Sequence, residues 1–225
     1  MKIITAPRQN LEKQASEIIE KEITILLNKQ PFLVLGIVGG TSVSAILKNL
    51  RNKQISWNKI HFFMIDERRV PIKNNKSNFK LANDSLFEYL LKTKKINPRN
   101  IHPYDYTKQI GNYKSELKEY GGKFDIILLS SGEDSHVAGL FPNLTIKNKE
   151  ENFIVFDNSP KPPKKRMSAS RKLLEKSQVA LLLFFGEGKQ KAFKNFKRKN
   201  LLTNQCPTKL VNKISKSYIL TDIPF

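Results

Sequence analysis

Residues 124–143 read FDIILLSSGEDSHVAGLFPN, and the fold turns on how this stretch is read. Residues 124–129 form a short apolar run of the kind shown by a strand buried on both faces of a parallel sheet. The run breaks into Ser130-Ser131-Gly132, a turn-prone cluster. Asp134 and His136 follow at the mouth of that turn. In open parallel α/β sheets ligands sit beyond the carboxyl ends of the strands, so a histidine placed there lies where chemistry is usually done. A histidine titrates near neutral pH and can take and return a proton. On this stretch alone, a loop histidine hydrogen-bonded to backbone fits equally well.

Working outward, the flanking chain repeats the same grammar. Residues 32–38 read as a buried strand ending in Gly39-Gly40-Thr41-Ser42, followed by a helix carrying Val43, Ile46, Leu47 and Leu50. A strand, a glycine pair, two hydroxyls and a helix make a cradle for a phosphate, because free N–H groups and the helix dipole attract an anion. A Gly-Gly turn also serves simply to connect elements, and the two hydroxyls fit helix caps equally. Residues 60–65 form another buried strand, ending in Asp66-Glu67-Arg68-Arg69-Val70-Pro71. Taken alone, those charges fit a surface loop with internal ion pairs. Ser77 is placed to cap a helix through Leu81, Leu86, Tyr89 and Leu90. After a strand at 153–156, the stretch Ser159-Pro160-Lys161-Pro162-Pro163-Lys164-Lys165-Arg166 forms a stiff loop. Its Lys161 and Arg166 can reach an anion, and a polyproline ligand for a partner domain is the competing reading. The last strongly apolar strand, 179–185, ends in Gly186-Glu187-Gly188-Lys189, which puts Lys189 in the first turn of a helix.

An amphipathic helix at 8–28, with Leu11, Ala15, Ile18, Ile19, Ile23, Leu26 and Leu27 at helical spacing, opens the pattern. A short strand at 218–220 closes it. Six strands alternating with helices, with no repeat and no low-complexity linker, predict one α/β domain over residues 1–225. Its architecture is a three-layer α/β/α, Rossmann-like arrangement around a mostly parallel sheet.

Composition bounds the function. The chain has 225 residues and one cysteine, Cys206, which excludes a disulfide framework and any multi-cysteine zinc site. No charged-then-apolar leader opens it, and no apolar run approaches the ~18 residues of a membrane span, so a soluble, cytoplasmic protein with no membrane partner is expected. The net charge of +20 permits phosphate ligands. The basic residues are spread along the chain, and the densest cluster, 189–199, reads as a helix whose Phe193 and Phe196 mark a buried face. A solvated basic face is the favoured reading there, and nucleic acid is disfavoured.

Together these motifs resemble those of the 6-phosphogluconolactonase family, within the wider group that includes glucosamine-6-phosphate deaminases. The matching elements are Gly39-Gly40-Thr41-Ser42, the Asp-Glu-Arg-x-Val-Pro run at 66–71 and Ser77-Asn78. They continue with residues 124–142, the Ser-Pro-Lys-Pro-Pro-x-x-Arg run at 159–166, Gly186 to Lys189 and Pro207 to Val211. The resemblance runs nearly end to end. It implies hydrolysis of the δ-lactone of a sugar 6-phosphate by water, with His136 as general base, Asp134 orienting the loop or the imidazole, and Arg68 stabilising the oxyanion. Gly39, Gly40, Thr41, Ser42, Asp66, Arg166 and Lys189 would bind the substrate. No metal or other cofactor is implied, since a lactone is already an activated ester. A monomer or small homo-oligomer is expected. The rival within the group, an amino-sugar-phosphate deaminase, carries a carboxylate after the histidine, where this chain has Gly139-Leu140-Phe141-Pro142. A non-catalytic sugar-phosphate-binding protein is the rival from another class.

Three departures from the family pattern stand out. Ser130 and Ser135 replace glycines, and residues 166–170 read Arg-Met-Ser-Ala-Ser where Arg-Ile-Thr-Leu-Thr is usual. If position 135 requires a positive φ, serine there costs on the order of 1 kcal/mol or more and bears on the geometry of His136.

Overall fold

The computed structural model describes residues 1–144 and 152–224. In chain order its strands and α-helices are β1 (Lys2–Thr5), α1 (Arg8–Leu27), β2 (Leu33–Ile37), α2 (Thr41–Leu50), β3 (Ile60–Met64), β4 (Asp66–Arg68), α3 (Asn78–Ala82), α4 (Glu88–Lys92) and β5 (Ile101–His102). They continue with α5 (Ile110–Glu119), β6 (Ile126–Ser130), β7 (Phe153–Phe156), β8 (Arg166–Ala169), α6 (Arg171–Glu175), β9 (Val179–Phe184), α7 (Gln190–Lys197) and β10 (Lys216–Thr221).

Seven strands form one parallel sheet in the order β1-β10-β9-β6-β2-β3-β5. Helices flank it, which is the expected three-layer α/β/α architecture. Every residue of β2 and β9 is buried, as continuous apolar strands in the middle of a covered sheet must be. The chain leaves β2 toward β3 on one side and β6 toward β9 on the other. The carboxyl ends of β2 and β6 therefore adjoin at a topological switch point, where open α/β sheets form their crevice.

The sequence reading is corrected in three places. Residues 153–156 are a strand but belong to a separate antiparallel sheet, β4-β8-β7. Asp66–Arg68 and Arg166–Ala169, read as loop, are strands of that same sheet. In it Arg68 pairs with Arg166 and Asp66 with Ser168. The parallel sheet also gains β1 at one edge and the two-residue β5 at the other. No helix among the described residues is long and apolar enough to cross a membrane.

A part-buried polar relay ties β3, β5 and α5 together. Glu116 Oε1 lies 2.6 Å from His102 Nδ1, and His102 Nε2 lies 3.0 Å from His61 Nδ1. The His61 ring stacks on Tyr120 at 3.8 Å. Burial, and then the charge of His102, lower the His61 pKa from 6.5 to about 4. The unfolded chain takes up this proton first as pH falls, so the associated stability is complete above pH ~6.5 and is lost between ~6.5 and ~4. Allowing for solvent screening of a part-exposed ring, His61→Gln is expected to remove about 1–2 kcal/mol of the acid-side pH dependence. Urea unfolding of both proteins at pH 7 and pH 4.5 measures it, and identical pH slopes would refute the assignment.

Candidate active site

Four strand ends supply one cleft of about 230 Å³, lined among others by Gly39, Gly40, Asp66, Arg68, Asn78, Ser130, Gly132, Glu133, His136, Lys161, Arg166 and Lys189. At the end of β6 the turn closes through Gly132 N–H donating to the His136 carbonyl at 2.8 Å and Ser135 N–H donating to the Gly132 carbonyl at 3.1 Å. Gly132 is required by close approach, because a Cβ there would lie 1.9 Å from His136 Nδ1. Asp134 stands behind the imidazole. Its Oδ1 is hydrogen-bonded to His136 Nδ1 and accepts the His136 backbone N–H at 3.3 Å. Among the described residues Nε2 makes no hydrogen bond, so it is the ring nitrogen left to the cleft. Burial pushes the Asp134 carboxyl up, but the hydrogen bond and charge of His136, with Lys161 at 3.8 Å, outweigh it and hold the group well below the usual carboxylate range. Phe141 packs on the imidazole at 4.5 Å.

The Asp66-Glu67-Arg68 strand divides its charges between two tasks. Alternation along β4 turns Asp66 and Arg68 toward the cleft and Glu67 away from it. Glu67 Oε1 accepts the N–H groups of Arg68 and Asn78, both at 2.7 Å. Its Oε2 accepts the Phe79 N–H at 2.7 Å and the Ser77 hydroxyl at 2.9 Å. Ser77 in turn caps α3 by accepting from Lys80 N–H, as its sequence position predicts. Burial raises the Glu67 carboxyl pKa, and these donors oppose it. Glu67→Gln turns one acceptor into a donor and orphans a buried N–H, so a loss of about 1–2 kcal/mol in denaturant stability is expected with the cleft side chains unchanged. A variant as stable as wild type would contradict this anchoring role.

Asp66 is buried with its Oδ1 unpartnered, as are Asn78 Oδ1 and Arg68 Nε among the described residues. Such orphaned polar atoms in a cleft wall suit a polar ligand. Burial raises the Asp66 pKa against the opposing pull of Arg68, Arg166, His136 and the Asn78 amide. Arg68 also donates from Nη1 to the Lys76 carbonyl at 2.7 Å. Arg166 is committed more heavily than expected. Its Nε donates to the Pro163 carbonyl at 3.0 Å, and its Nη2 to the carbonyls of Lys161 and Pro162, both at 3.2 Å. Lys189 sits in a short 3-10 turn (Glu187–Lys189) just ahead of α7. Burial lowers its pKa, and the nearby Glu133 carboxylate opposes that shift without cancelling it.

The glycine loop is corrected in detail. Gly40, with φ +111°, is the N-cap of α2, so Thr41 and Ser42 are its first helical residues and neither caps it. The intrahelical ladder begins with Val43 and Ser44 N–H donating to the Gly40 carbonyl, so the N–H groups ahead of Val43 have no place in it, and Gly39 and Gly40 line the cleft. Thr41 is exposed, Ser42 is buried, and neither side chain lines the cleft. A Cβ on Gly39 would lie 1.9 Å from Asn78 Oδ1, so this glycine makes room for Asn78. Among the predicted residues, Gly39, Gly40, Asp66, Arg68, His136, Arg166 and Lys189 are brought together, and Asp134 stands one layer back. The cleft also takes in Lys161, which the sequence reading offers as an anion contact, and Asn78, Ser130, Gly132 and Glu133, to which it assigns no role in the site. For Asn78 the available signal is the Ser77-Asn78 pair that follows the charged run at 66–71.

The family model for glucosamine-6-phosphate isomerases/6-phosphogluconolactonase matches residues 6–220. The 6-phosphogluconolactonase of Borreliella burgdorferi is 33% identical over 203 residues, covering 88% of this chain and 86% of that protein. The 6-phosphogluconolactonase of Thermotoga maritima is 30% identical over 177 residues, covering 77% of this chain and 78% of that one. The crystal structure of a Thermotoga maritima 6-phosphogluconolactonase superposes with a TM-score of 0.86 at 25% identity, covering 98% of both chains. A Trypanosoma brucei 6-phosphogluconolactonase shares the fold, with a TM-score of 0.78 at 19% identity over 98% of this chain and 95% of that one. This chain belongs to the glucosamine-6-phosphate isomerase/6-phosphogluconolactonase family.

Proposed function

We propose that the protein is a 6-phosphogluconolactonase, hydrolysing 6-phospho-D-glucono-1,5-lactone to 6-phospho-D-gluconate in the oxidative pentose phosphate pathway. The observation that carries this reading is the Asp134–His136 pair at the carboxyl end of β6, whose Nε2 has no hydrogen bond among the described residues and whose ring lines a cleft with Arg68, Arg166 and Lys189. Bonded to Asp134 through Nδ1, the imidazole keeps an Nε2 lone pair for a water molecule. As that water attacks the lactone carbonyl carbon, its proton passes to Nε2 and the carbonyl π electrons move to oxygen. Arg68 is the cation placed to stabilise this oxyanion. Collapse of the tetrahedral intermediate breaks the bond to the ring oxygen, which takes the proton back from Nε2 and leaves as a hydroxyl. Lys189, Lys161 and the N-terminus of α2 hold the phosphate, fixing the ring against His136. Asp66 and Asn78, with unpartnered oxygens, accept hydrogen bonds from sugar hydroxyls.

On this reading residues 1–225 act as one cytoplasmic lactonase domain. The segment after His136 adds Phe141 against the ring rather than a carboxylate, which speaks against the deaminase chemistry of the wider family. The test is a lactonase assay on freshly prepared 6-phosphogluconolactone, corrected for spontaneous hydrolysis. Turnover above background supports the reading, and turnover of glucosamine 6-phosphate in its place overturns it.

A further inference from the structure

Ser135, between Asp134 and His136, is fully buried and holds φ at +72°. This left-handed conformation is unfavourable for any residue bearing a Cβ, and a buried hydroxyl needs a partner. Four non-glycine residues among those described have such a φ: Lys94, Ser135, Ala138 and Asn143. Ser135 is the one with no exposed surface. Its hydroxyl is met from another element altogether, since Asn195 Nδ2, on α7, donates to Ser135 Oγ at 3.3 Å. The backbone is pinned as well, because Thr208 N–H donates to the Ser135 carbonyl at 3.3 Å. Asp134 Oδ1 engages both the ring and the backbone N–H of His136, so any rotation at Ser135 moves carboxylate and imidazole apart together.

We propose that Asn195 is a positioning residue for His136, holding Ser135 in its left-handed turn so that the imidazole stays aligned between Asp134 and the cleft. The proposal rests on the lactonase reading for its kinetic consequence and on geometry alone for its structural one. A serine in place of glycine at this turn is tolerated because a neighbouring helix supplies an amide that grips it. With glycine at 135 there would be no hydroxyl to grip and no Cβ to strain, so Asn195 would become dispensable.

The experiment is a cycle of wild type, Asn195→Ala, Ser135→Gly and the double variant. Each is assayed for kcat and KM and examined by NMR for the imidazole Nδ1 proton of His136. Asn195→Ala is expected to lower kcat about three- to tenfold with KM unchanged, since small displacements of a catalytic group cost rate steeply. It should also broaden the Nδ1 proton signal. Ser135→Gly alone should change kcat/KM by less than about tenfold, or ~1.4 kcal/mol. Adding Asn195→Ala to Ser135→Gly should change nothing further. If Asn195→Ala does not fold, Asn195→Ser, polar but too short to reach Ser135, takes its place. An unchanged kcat and Nδ1 signal in the single variant, or an equal loss in both backgrounds, overturns the proposal. Should wild type fail to hydrolyse the lactone, the lactonase reading fails by itself, and the Nδ1 signal across the four proteins still decides the role of Asn195.

Discussion

His136→Ala is expected to lower kcat for 6-phosphogluconolactone by about 10²–10⁴-fold, the usual contribution of a positioned general base, with KM little changed. The loss falls on kcat because the phosphate contacts assigned to Lys189, Lys161 and the start of α2 do not involve the ring. No neighbour replaces the base easily. Asp134 is held well below the usual carboxylate range by its bond to His136 and by Lys161, despite its burial, and so is a weak base. Asp66 is the substitute to test, because burial raises its pKa and it lines the same cleft. If Asp66 were the base, His136→Ala would keep most of its activity and Asp66→Asn would lose it. The ring also packs on Phe141, so thermal melts of both variants are needed to separate lost chemistry from lost packing.

The parts of the fold that were legible in the sequence are those in which burial writes a pattern. β2, β3, β6 and β9 are apolar runs because both faces of the sheet are covered, and a polar or glycine-containing segment after each marks its carboxyl edge. That is why most of the predicted site residues reach one cleft. β4 and β8 left no such trace. Their ladder is held by backbone hydrogen bonds while Asp66, Arg68 and Arg166 serve the cleft, so charged strand residues looked like loop. β5 is two residues long, too short for any period. The positions of Thr41 and Ser42 turned on which residue takes the N-cap, a backbone matter that Gly40 decides through its positive φ. The departure at Ser135 was visible, but its compensation was not. Asn195 lies 60 residues away and meets Ser135 only through the packing of α7.

Lys189→Ala is expected to raise KM for the phosphorylated lactone roughly 10–150-fold while leaving kcat within a few-fold. This follows from the ~1.5–3 kcal/mol of a charge-assisted hydrogen bond to phosphate. Unphosphorylated gluconolactone has no phosphate to lose, so wild type and variant should turn it over equally slowly. Arg166→Ala looks equivalent from the sequence, but the structure separates the two. The Arg166 guanidinium donates to the carbonyls of Lys161, Pro162 and Pro163 and lies over Phe141 at 5.6 Å. Its removal therefore releases the loop that carries Lys161 and loosens the ring on which His136 packs. KM should rise for Arg166→Ala too, but with a lower melting temperature and a fall in kcat that Lys189→Ala does not show. Because Arg166 also organises the loop, Arg166→Lys should recover little, since an ammonium cannot reproduce the planar donors that hold the three carbonyls. Equal KM effects with unchanged melting temperatures in both variants would return Arg166 to a simple phosphate contact. A wild-type enzyme as fast on unphosphorylated gluconolactone would remove the phosphate site altogether.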